Sequence, residues 1–177
     1  MVPVMADDLY EMTDEASPKK AASPKSTGAA PTVLDQLKSS LSKKVERPRV
    51  FVEVPERPGI TIEVSPNITQ HQIRSWRKNA GEDTKNGMDA TKFACSVVAH
   101  TTVGIFVDDE QAFNEDGIPL TFGSDVILEM TGTTRPTPDC VRAFFGIDPH
   151  IEAAALAILE AAGYSDTVET VDPTKRS

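Results

Sequence analysis

Between residues 50 and 64 the chain alternates apolar and polar positions twice, over Val50–Val54 and again over Ile60–Val64. Pro55, Pro58 and Gly59 break the pattern between the two runs, so the stretch predicts a two-stranded hairpin. Ser65-Pro66-Asn67 ends the alternation, and the period changes to that of a helix. Thr69 stands at the N-cap position with Gln72 at N3, the pair that forms a capping box. Ile68 and Ile73 flank it at the positions of a hydrophobic staple. Ile73, Trp76 and Ala80 fall on one face of this helix, and Gly81 is placed to stop it.

The same reading continues along the chain. Asp89 caps a helix whose apolar side carries Phe93, Val97 and Val98, with Ala94 beside them. Ile105-Phe106-Val107 and Ile118–Phe122 flank an acidic stretch ending in Asp116-Gly117, which predicts a second hairpin with a long loop. Pro119 would confine its second strand to an edge or an irregular position. Three helices follow. One starts at Ser124 or Asp125 and carries Val126, Ile127 and Met130. One starts at Thr137-Pro138, turns Val141, Phe144 and Phe145 inward, and stops at Gly146. The last starts at Asp148-Pro149 and places Ile151, Ala154, Ala155, Ile158, Leu159 and Ala162 on a single stripe before Gly163.

Ahead of all this, Val33, Leu34, Leu37 and Leu41 recur at helical spacing and predict a short amphipathic helix that docks when a partner is present. Residues 1–31 are rich in Ala, Ser, Pro and Lys, with Ala-Ser-Pro-Lys at 16–19 and again at 22–25. Such a segment has too little apolar surface to offset its ordering entropy. The expected architecture is α+β: a small helix-rich domain over residues 48–168 with two short β-hairpins. A largely disordered head over 1–47 precedes it and a polar tail over 169–177 follows.

Charge sharpens this picture. Residues 1–49 carry 8 basic and 7 acidic groups, residues 50–177 carry 10 and 20, and the totals of 18 and 27 give the net charge of −9. The domain is therefore the acidic part, which argues against binding nucleic acid through phosphate neutralisation and favours a basic partner. No apolar run approaches the roughly 18–20 residues needed to cross a bilayer. The opening MVPVMADDLYEMTDE lacks the positive region of a secretory signal, so a cytoplasmic location is expected. Cys95 and Cys140 each sit in an apolar helical pattern and read as two buried thiols.

Catalytic and metal chemistry finds no pattern to rest on. His71, His100 and His150 form no ligand spacing with one another or with the cysteines. The acidic stretch fails as a calcium loop. With Gly117 at its sixth position, the first and twelfth would be Ala112 and Gly123, which supply no ligands. No nucleophile elbow, phosphate-binding glycine loop or Cys–His–Asn pattern occurs. Neither an enzyme nor a cofactor is expected. The candidates for function are instead apolar: Trp76, a core anchor or an interface hot spot, and Leu156, Ile158 and Leu159 on the last helix. That helix is greasy round much of its circumference and reads as a core element or as the seat of a partner helix.

Several short marks occur in a fixed order: Val54-Pro55-x-Arg57-Pro58-Gly59, Ser65-Pro66-Asn67-Ile68, Trp76-Arg77-Lys78 and Thr91-Lys92-Phe93-Ala94. Asp116-Gly117-x-Pro119-Leu120, Val141–Gly146 and the Ala-rich helix before Gly163-Tyr164 complete the series. In this order the chain resembles the tail assembly chaperones of long-tailed phages that infect actinobacteria. The likeness covers about residues 50–175 and leaves out the head. It implies a protein that coats the tape measure protein in the host cytoplasm while tail tube protein polymerises around it, and that is absent from the finished virion. It also implies a frameshifted, C-terminally extended second product, with the shift near Pro173-Thr174-Lys175. That extended form would be a further partner. A virion structural tail protein, retained in particles, and a regulatory binding module are the alternatives.

Overall fold

The computed structural model describes residues 28–165. The low-complexity head before residue 28 and the polar tail expected over 169–177 lie outside them. The chain divides into two units, residues 1–44 and 45–177.

In the first unit, helix α1 spans Val33–Ser42. It opens with a capping box: the Asp35 amide donates to the Thr32 hydroxyl, and the Thr32 amide and hydroxyl both donate to the Asp35 carboxylate. These bonds hold the Asp35 carboxyl below the usual carboxylate range. No α1 residue is buried, and its whole apolar stripe of Val33, Leu34, Leu37 and Leu41 is exposed. A helix this short is marginal on propensity alone, so its local stability rests on the cap.

The second unit is α+β, built on one four-stranded antiparallel sheet in the order β1-β2-β3-β4. Strands β1 (Val50–Glu53) and β2 (Ile60–Val64) form the predicted hairpin, with Val52 opposite Ile62 and Phe51 opposite Glu63. Strand β3 (Thr102–Val107) returns after two helices and pairs with β2, Ile62 facing Ile105. The second hairpin closes earlier than the sequence pattern indicates. Its partner is β4 (Glu110–Gln111), reached through Asp108-Asp109, both at positive φ (49° and 67°). Paired positive-φ residues give the turn twist that two-residue hairpins require. The stretch Ile118–Phe122 is not a strand and contributes a single bridge, Pro119 to Phe113.

The helices follow their start and stop signals closely. Helix α2 (Gln70–Asn79) has the Thr69–Gln72 capping box and buries Ile73 and Trp76. Asp89 caps α3 (Ala90–Thr101) by accepting from the Lys92 amide. Helix α4 is Asp125–Thr131, and Met130 on it points to solvent. A wide turn over Pro136–Cys140, kinked at the extended Thr137, leads into α5 (Val141–Phe145), which Gly146 ends at φ 82°. Helix α6 (Asp148–Ala161) begins after Ile147, and Asp148 makes no cap bond there; its carboxylate meets Arg142 at 3.3 Å instead. The core joins Val52, Val54, Ile62, Val64 and Ile105 from one face of the sheet to Val97 and Val98 of α3 and to Phe122, Val141 and Phe145. Ile151 and Ile158 of α6 complete it.

Candidate partner-binding surface

Helix α6 explains why its sequence looked apolar all round. Ile151, Ala154, Ala155 and Ile158 form its inward face and are buried. Ala153, Leu156 and Ala157 form an outward face, and Leu156 is 59% exposed. Full burial of a side chain such as Ile158 contributes roughly 1.5–3 kcal/mol, a contribution Leu156 makes only if something covers it. Of the four candidates, Ile158 and Trp76 belong to the core, at 0% and 6% exposure. They cannot meet a partner without unfolding. Leu156 stands at the surface.

Leu159 lies between these extremes. With Ile73, Phe93 and Tyr164 it lines a hollow of about 290 Å³ among α2, α3 and α6, rimmed by Gln70 and Arg77. The Arg77 guanidinium sits 6.0 Å from the Phe93 ring centroid. Tyr164 closes one end, its hydroxyl donating to the Ile68 carbonyl at 2.9 Å. An apolar floor with a polar rim suits a protein side chain or helix face better than a small polar substrate.

The structure also brings out residues that periodicity did not single out. On the opposite face of the sheet, Phe51 and Phe106 meet edge to face, centroids 5.3 Å apart, with Phe51 still 57% exposed. Beneath them Glu63 is almost fully buried and accepts from Arg49 at 3.0 Å. A carboxylate in a largely apolar setting is tolerated where a guanidinium pairs with it. Alternation marks positions 51, 63 and 106 as one face, yet nothing in the sequence says which strands are neighbours.

The chemistry of the remaining groups is quiet. Cys95 and Cys140 are free and fully buried. Burial pushes the Cys95 thiol up to about 12, so it is held as the unreactive thiol. Among the described residues no group of three or more His, Cys, Asp and Glu side chains is arranged to hold a metal ion. None of their helices is long and apolar enough to cross a membrane.

Several of the sequence marks touch one another. Arg57 donates Nε to the Phe144 carbonyl at 3.1 Å and a terminal nitrogen to the Ala143 carbonyl at 3.2 Å, so the first mark caps the helix of the sixth. Tyr164 binds Ile68, and Thr91 donates to Glu152 at 2.7 Å, so the last helix is tied to two of the earlier marks. The chain matches no protein family, no curated protein and no solved structure in the comparisons made with it.

Proposed function

We propose that this protein is a phage tail assembly chaperone that binds and solubilises the tape measure protein in the cytoplasm of the infected bacterium. In this role it keeps that partner competent for tail tube protein to assemble around it, and it leaves before the virion is complete. The observation that carries the reading is the mutual contact of the ordered marks. Arg57 with Ala143 and Phe144, Ile68 with Tyr164, and Thr91 with Glu152 are hydrogen-bonded pairs between the motifs of the resemblance. These contacts support the marks as parts of one fold, and the function is carried over from the resembled family by analogy alone.

The surface is compatible with the role. A long amphipathic helix needs an apolar hollow with a polar rim, and the Leu159–Phe93–Tyr164 hollow has that form, with the exposed Leu156 three residues before Leu159 on the same helix. The acidic domain supplies solubility and suits a basic partner. Helix α1, with its apolar stripe bare, is a second surface that a helical partner can cover.

Co-expression tests the reading directly. The tape measure protein of the same phage should move from the insoluble to the soluble fraction when this chain is present. Leu156→Asp should fold normally and lose much of that effect. An immunoblot should find this protein in infected-cell lysate and not in purified particles. Retention in particles would point to the alternative, a structural tail protein.

A further inference from the structure

Among the described residues the sheet has one open edge, and its sequence is complementary to itself. The Val54 amide donates to the Ile60 carbonyl, and Val52 lies opposite Ile62, so the even-numbered residues of β1 direct their backbone groups at β2. Phe51 and Glu53 therefore direct their N–H and C=O groups away from the sheet, and Arg49 does so by the same alternation. The far edge differs. There β4 is two residues long, and the chain beyond it is covered by the Leu120 amide bonding to the Ala112 carbonyl and by the Phe113–Pro119 bridge.

Read about Phe51, the segment Arg49-Val50-Phe51-Val52-Glu53 carries opposite charges two residues to either side of its centre. We propose that this protein forms a two-fold dimer by antiparallel pairing of β1 with β1 of a second copy, centred on Phe51. This goes beyond the proposed function and does not rest on it. In that register the two Phe51 residues exchange both backbone hydrogen bonds. Each Arg49 also exchanges both with Glu53 of the other copy. The side chains agree with the backbone. Arg49 faces the opposing Glu53 twice, Phe51 faces its own counterpart beside the Phe51–Phe106 pair, and Val50 faces Val52 on the core side. A foreign strand would have no reason to match this arrangement, whereas a second copy matches it by symmetry.

The surroundings fit a single copy and no more. Pro48 and Pro55, which lack an amide hydrogen, bracket the strip, and the Asn67 side chain occupies both the amide and the carbonyl of Arg47. The pairing is therefore short and fixed in register. On the core side a groove of about 210 Å³, lined by Val52, Pro55, His150, Ala153 and Ala157, runs between β1 and α6. Its exposed alanines let the opposing molecule approach closely. The joined sheet would have eight strands ending on the two short, covered β4 edges, so growth stops at two.

Light scattering on the full chain during size-exclusion chromatography, at concentrations from about 1 to 100 µM, should show a concentration-dependent dimer. Glu53→Arg sets two arginines against each other twice and should raise the dimer dissociation constant by about tenfold or more. Its circular dichroism should remain that of the native protein. Phe51→Cys places two thiols at the symmetry centre and should yield a covalent dimer on mild oxidation. Phe113→Cys, exposed elsewhere, should not at the same concentration. The native thiols do not interfere, because both are buried. A chain monomeric throughout this range overturns the proposal, and so does a dimer indifferent to Glu53→Arg and not trapped by Phe51→Cys.

Discussion

Trp76 lies flat against His100, their ring centroids 5.5 Å apart and their planes 4° from parallel. The stack ties α2 to the end of α3 and leaves the indole 6% exposed. Trp76→Ala removes both the stack and the buried area and should cost about 3–5 kcal/mol. Urea unfolding followed by circular dichroism measures this. Unchanged stability would place Trp76 outside the core.

On α6 a matched pair of substitutions separates the two faces. Ile158→Asp buries an unpaired carboxylate at a fully enclosed position and should abolish folding. Leu156→Asp, two residues earlier at 59% exposure, should shift stability by no more than about 0.5 kcal/mol. Thermal unfolding of both variants decides it. Equal damage from the two would mean that the Leu156 face is covered in solution.

Arg57 holds two carbonyls near the end of α5 with a forked donor. Arg57→Ala should lower stability by about 1–2 kcal/mol, the scale of an exposed pair of charge-assisted bonds. Arg57→Lys should recover only part of it, since an ammonium lacks the fork. Chemical denaturation of the three proteins in parallel gives the comparison.

Much of this fold was legible because its signals are local. The Thr69–Gln72 cap, the Asp89 cap and the glycine stops at 81 and 146 each act within a turn of their own position. The second hairpin was not, because Asp108-Asp109 lacks the glycine that usually announces a two-residue turn, while Asp116-Gly117 advertises one. The latter is a real turn, organised by the Asn114 side-chain Oδ1 accepting from the amides of Asp116 and Ile118, but it lies beyond the sheet. Pairing of β2 with β3 across two helices leaves no mark in either strand. For the same reason the sequence could name Leu156 and Ile158 together but could not say which faced water.

Gly104 on β3 shows how tightly the outer face of the sheet is filled. A methyl group there would sit 2.9 Å from the Gln111 Nε2 and 3.2 Å from the Glu63 Oε2. Gln111 can swing aside, while Glu63 is held by Arg49. Gly104→Ala should therefore cost about 1 kcal/mol, and adding Gln111→Ala should return part of it. A double-mutant cycle by denaturation tests the coupling.

Burial raises the Cys95 thiol, so the folded state keeps its proton where the unfolded chain, with an ordinary value of about 8.5, releases it. The contribution to stability is whole below that ordinary value and is lost as pH rises toward about 12. Native protein at pH 8 should resist iodoacetamide at Cys95, and denatured protein should be alkylated promptly. Peptide mass mapping reads both states.

The tie between Tyr164 and Ile68 has a consequence for synthesis. The inner face of the sheet is translated early, yet Ile151 and Ile158 of α6, which close the core, are made near the end of the domain, and Tyr164 fastens them after that. A nascent chain therefore carries an uncovered apolar sheet until α6 leaves the ribosome.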